Sequence, residues 1–155
     1  MSSQLDGASL TNAGKYNMIS LLCISIIVLN WFMNIGLFRV FYSVPMIIHV
    51  ILFYFSNRTF HRMEYQKSNV MKLVNYAVYV SFLLFHILLP DTMGTAGSDR
   101  VFFGLITDTE LIDTASVAAI LLFGVNFILL LVQIVYNWRI GRKLRTELYK
   151  KAGLL

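Results

Sequence analysis

The chain has 155 residues, of which 57% are hydrophobic and 14% charged, and its mean hydropathy is +0.68. Soluble domains carry about a quarter charged residues, so a water-soluble globule is disfavoured from the outset. Net charge is +5, and the single Cys rules out an intramolecular disulfide framework and a Cys-based zinc cluster.

Residues 1–14 are polar, contain no Lys or Arg, and precede an apolar run too long for a signal-peptide core and without a small-residue cleavage site. They are expected to form a short mobile cytoplasmic tail. Four intervals then lack any charged side chain: 16–38, 40–57, 73–90 and 114–138. At about 1.5 Å per residue even 18 residues reach about 27 Å, close to the ~30 Å hydrocarbon core of a bilayer. A soluble helical bundle needs polar outer faces, and these segments have almost none. The expected architecture is an all-α membrane protein, a four-transmembrane-helix bundle over 15–138 with helices at about 16–38, 40–57, 72–90 and 114–138.

The connections differ in character. Gly36–Arg39 makes a tight external turn, so the first two helices are antiparallel neighbours. The second and third are joined by a basic loop, Ser56–Ser68. The external connection 91–113 is the long one: Asp91–Ser98 is small and polar, a turn region, while Val101–Ile106 is apolar but too short to cross. That second half is expected on the outer interface or packed over the bundle mouth. With both termini cytoplasmic, eleven of the thirteen Lys and Arg residues fall on that side, and only Arg39 and Arg100 on the other. This positive-inside bias orients the chain. A bacterial inner membrane is the expected setting, with an organellar membrane as the alternative.

Polar side chains inside lipid are costly unless they face protein or water, which makes their placement informative. In chain order they are Asn30 and Asn34, His49, Asn75 and His86, then Asn126, Gln133 and Asn137. Within each helix they continue an alternating three- and four-residue spacing, through Ser20, Cys23 and Ile27 in the first, Tyr42, Met46, Phe53 and Ser56 in the second, and Ser116, Ala119, Phe123 and Leu130 in the fourth. That spacing is the seam of a left-handed helix pair. The stripes are expected to hold the bundle together, with a sharper alternative in which Asn126, Gln133 and Asn137 line a wet path through a homo-oligomer. Pro45, inside the second helix, removes the hydrogen bond to the carbonyl of Phe41 and predicts a kink or hinge.

Two intramembrane imidazoles raise haem b as a cofactor, through His49 and His86. Helical rise puts His49 about 15 Å and His86 about 7.5 Å below the outer boundary, a mismatch that argues against one shared iron, so no cofactor is expected. The tail 139–155 continues directly from the last helix and carries Arg139, Arg142, Lys143, Arg145, Lys150 and Lys151; with Arg58 and Arg62 it forms a basic face suited to an anionic leaflet or an acidic cytoplasmic partner. No stacking platform supports nucleic-acid binding. No nucleotide loop, metal-binding helix motif or nucleophile elbow appears, and Asp108, Glu110 and Asp113 read as a solvated acidic loop. The expected function is therefore non-catalytic: an oligomeric pore, sensor or scaffold subunit that self-associates or docks a partner. The alternative is a membrane anchor in a multi-subunit, conceivably redox, complex.

Overall fold

A computed structural model describes residues 3–34, 36–62, 68–91 and 99–153, with side chains from residue 14 onward and not at 38. Five helices follow one another: α1 (Ser3–Met33), α2 (Leu37–Phe41), α3 (Ser43–Arg62), α4 (Asn69–Leu88) and α5 (Thr109–Lys151). Three of them, α1, α4 and α5, contain stretches long and apolar enough to cross a membrane. The protein is thus all-helical among the described residues and of the integral-membrane class.

The helix ends are set by caps and breakers rather than by where hydrophobicity stops. α4 starts where the Ser68 hydroxyl accepts from the Met71 amide, 3.2 Å, and it ends at Leu89, which is extended because Pro90 follows. α5 starts where the Asp108 carboxylate accepts from the Leu111 amide, 3.0 Å, with Glu110 in its first turn. Asp108 and Glu110, read from sequence as solvated loop acids, thus complement the positive end of the helix dipole. α1 begins at Ser3, so residues 3–14, expected as a mobile tail, continue the helix; no Pro interrupts them, and extending a formed helix is far easier than nucleating one. α5 likewise runs on through the expected tail as far as Lys151.

Pro45 requires a correction. It lies in the first turn of α3, with the helix interrupted just before it by a turn at Tyr42, and the Met46 amide donates to the Tyr42 carbonyl at 3.1 Å. A helix tolerates Pro in its first turn because those amides have no intrahelical acceptor. The continuous, kinked helix expected over 40–57 is therefore two helices, α2 and α3, and Pro45 opens the second instead of hinging one.

α4 packs most extensively on α5 and α1 on α3, and lighter α1–α4 and α3–α5 contacts close a ring of four long helices. At its centre Ile27, Phe53, Val78, Phe82 and Leu130 are wholly buried, and the rings of Phe53 and Phe82 stack with centroids 3.7 Å apart. The outer surface is apolar, with Met18, Leu22, Phe32, Ile120, Leu121 and Ile128 exposed. Polar inside and greasy outside is the arrangement lipid demands.

The described part of the connection between α4 and α5 folds back onto the bundle. Asp91 bridges Arg100 and Val101 bridges Ile106, enclosing a turn in which Phe102, Phe103 and Gly104 all have positive φ, at 54°, 57° and 77°. This hairpin sits over the end of α1: the Phe103 amide donates to Asn30 Oδ1 at 2.8 Å, and Gly104 lies against Asn34. The small polar run at 92–98 lies outside the described residues.

Candidate functional site

The buried polar residues form three layers. The outermost is organised by Asn30, which is fully buried. Pro90 has no amide to offer the carbonyl of His86, four residues earlier, and Asn30 Nδ2 donates to that carbonyl at 2.9 Å. Asn30 Oδ1 accepts from Asn34 Nδ2 at 3.0 Å as well as from the hairpin, and its main-chain oxygen accepts from the Arg39 guanidinium at 2.7 Å. Arg39 also donates to the Leu89 carbonyl at 2.9 Å and faces Asp91, Nε to Oδ2, at 3.5 Å. The same carboxylate oxygen accepts from the amides of Gly36 and Arg39, at 2.9 and 3.2 Å. Burial pushes the Arg39 guanidinium below its ordinary value, and Asp91 opposes that shift; an arginine remains cationic. A buried ion pair, with two further guanidinium hydrogen bonds to main-chain carbonyls, thus ties α2 to the end of α4.

The middle layer holds His49, His86 and Asn126. The Ser81 hydroxyl donates to the Ala77 carbonyl at 2.6 Å, so it accepts from Asn126 Nδ2 at 2.8 Å. Asn126 Nδ2 also donates to the Val78 carbonyl at 2.9 Å, which leaves Asn126 Oδ1 as an acceptor for His49 Nε2 at 2.7 Å. His49 Nε2 is therefore the donor, and Nδ1 carries the lone pair of the neutral ring. In the inner layer Asn57 Oδ1 accepts from Asn75 Nδ2 and from Gln133 Nε2, joining α3, α4 and α5 at one atom. Asn137 Nδ2 donates to the Ser56 carbonyl at 2.9 Å. Ser20 and Tyr79 hydrogen-bond at 2.6 Å between α1 and α4.

The eight seam residues named from the sequence are thus all buried and drawn into contacts between or along the helices of one chain. Asn126 and Gln133 have no exposed surface; each is enclosed between α3 and α4. The layers are separated by the Phe53–Phe82 stack with Ile27, Val78 and Leu130, which fills the bundle axis with apolar side chains. Tyr42 and Phe123 depart from their stripes and stand exposed.

His49 and His86 correct the depth argument. Their ring centroids are 5.4 Å apart, not separated by about 7 Å of depth. Arg39 and Asp91 are in contact, and Arg39 to Phe41 belong to α2 rather than α3, so counting residues along one helix misplaces His49. Proximity does not make the pair a haem site. Phe82, Phe85 and Trp31 wall the rings in at 4.6 to 5.6 Å, and His49 Nε2 is taken by Asn126. A macrocycle between two axial imidazoles needs open width that these aromatics occupy.

No family model matches the chain, and no curated protein or solved structure matches it.

Two surface features complete the geometry. Where α3 begins, it and α5 splay apart above the His49–Asn126 hydrogen bond, leaving a wedge of about 710 Å³ between them, with Phe85 of α4 in its wall and Pro45, Ile120, Phe123 and Phe127 on its sides. At the opposite end α5 continues with Arg139, Arg142, Lys143, Arg145, Lys150 and Lys151 exposed, and Arg142 lies over the Trp138 ring at 4.8 Å. Arg58 and Arg62 are exposed at the same end of α3. Sequence reasoning missed Arg39 and Asp91, read as boundary charges, and Asn57, read as the start of a loop. Asn57 lies four residues beyond Phe53 and donates to its carbonyl at 2.8 Å, so extending the α3 stripe by one turn finds it.

Proposed function

We propose that this chain is a four-span membrane subunit, with both termini cytoplasmic, that docks an acidic protein partner on a basic helix projecting from the bilayer. The observation that carries the reading is the length of α5. Its 43 residues extend about 64 Å at helical rise, roughly twice the hydrocarbon thickness. Placing the charge-free stretch 114–138 in lipid leaves 139–151, about 20 Å of helix, standing clear with its cations exposed. A stop-transfer cluster needs charge but no extended rigid helix; a docking element benefits from one, because a preformed helix loses less entropy on binding. α3, which holds most of the charge-free interval 40–57, supplies the fourth crossing, and the positive-inside asymmetry supports the orientation.

The closed interior favours a scaffold over a pore, since the amides that would line a path are spent on neighbouring helices. The test is copurification from native membranes of the full chain and of an Arg142→Gln/Lys143→Gln/Arg145→Gln variant. The reading expects a stoichiometric acidic partner with the parent chain, lost in the variant while membrane insertion is retained. Equal recovery with both, or no partner with either, overturns it. Retention of the parent alone on vesicles rich in anionic lipid, with no protein partner, would assign the helix to the leaflet instead.

A further inference from the structure

The wedge between α3 and α5 has a size and lining that a docking role leaves unexplained. Small-molecule sites run to about 300–1,000 Å³, are largely apolar, and carry a few polar groups that orient the ligand. The wedge, at about 710 Å³, has His49 in its wall at the point where the two helices meet. The side chain of His49 is 6% exposed, and its Nδ1 has no hydrogen-bond partner. The Asn126 network decides what that nitrogen wants. With Nε2 donating to Asn126, Nδ1 is an acceptor in need of a donor. That nitrogen is buried, and among the rings packed on His49 Phe123 is the exposed one, 43%, edge-on to it with centroids 5.7 Å apart. Phe85 and Phe127 flank Phe123 at 5.0 and 6.2 Å, which makes this wall a bank of aromatic faces suited to a flat ring.

We propose that the wedge binds one ring-headed lipid bearing a hydroxyl, of the hydroquinone class. Its hydroxyl donates to His49 Nδ1 after Phe123 swings aside, its ring lies along Phe85 and Phe127, and its tail leaves between α3 and α5 into the acyl chains. A ligand offering only carbonyl or ether oxygens brings a second acceptor to an acceptor and is disfavoured. This site is independent of the docking helix, which lies at the other end of α5.

The experiment measures binding of decylhydroquinone, its dimethyl ether and dodecanol to the full chain in detergent micelles, under reducing conditions. The hydroquinone is expected to bind about tenfold more tightly than the ether, the effect of one buried hydrogen bond, and more tightly than dodecanol, which lacks the ring. His49→Phe should erase the preference over the ether. Because that change also strips Asn126 of its partner, Ile120→Trp provides a second arm: it fills the wedge from an exposed position and should abolish binding of all three probes. Equal affinity for hydroquinone and ether, equal affinity for dodecanol, no binding of the hydroquinone, or undiminished binding to Ile120→Trp each overturns the proposal.

Discussion

Asn126 shows what a single amide achieves inside lipid. It donates twice to α4 and accepts once from α3, so one side chain of α5 holds three helices in register. Each interhelical bond contributes only about 0.6 kcal/mol on average, but removing the amide leaves His49 Nε2 buried without an acceptor, which costs about 1–3 kcal/mol. Asn126→Leu is accordingly expected to lower unfolding free energy in detergent titration by about that amount, whereas Ile128→Ala, on the exposed face of the same helix, should change little. Equal losses for the two would mean that the seam is not what orders the bundle. That these amides turn inward was legible in the sequence, since a polar group among acyl chains has nowhere else to go. Arg39 and Asp91 were not legible, because a charge at a helix boundary reads as solvated unless the fold supplies a buried counter-charge from a residue far along the chain.

Among the described elements, the hairpin at Val101–Ile106 holds the most conformational strain. Phe102 and Phe103 occupy left-handed backbone that side chains avoid, and Gly104 follows at φ 77°. A Cβ at Gly104 would stand 3.0 Å from Asn34 Oδ1, so Gly104→Ala meets both an unfavourable φ and a crowded neighbour. The expected result is a destabilised hairpin, by about 1–3 kcal/mol, seen as faster protease cleavage between Asp99 and Thr107 on sealed vesicles, with the helical circular dichroism unchanged. Hydrophobic periodicity said only that Val101–Ile106 was too short to cross. Its docking depends on the Asn30 side chain, supplied from more than sixty residues away, which no local pattern reports. Helix ends were partly legible in the same way: Pro90 and Ser68 are local signals, but a charge-free interval marks what sits in lipid, and α1 and α5 both run well past it.

For the molecule as a whole, the apolar layer of Ile27, Phe53, Val78, Phe82 and Leu130 separates the middle polar layer from the inner one. Vesicles containing the purified chain are therefore expected to show no ion flux above protein-free controls, and steady conductance would contradict a filled axis. Fold class and the inward turn of polar residues followed from composition and charge spacing. The wedge did not, because it arises from how far two helices diverge, and that is a property of packing rather than of either helix alone.

The carbonyl that Pro90 leaves without a helical partner has a consequence for biogenesis. Its substitute donor, Asn30, belongs to α1, which is synthesised before α4 brings the acceptor. Until then the Asn30 amide lacks the acceptor it has in the finished bundle, so closure around it waits on the later segment. Truncated chains ending before α4 should accordingly be held by the insertion machinery or destroyed by membrane quality control.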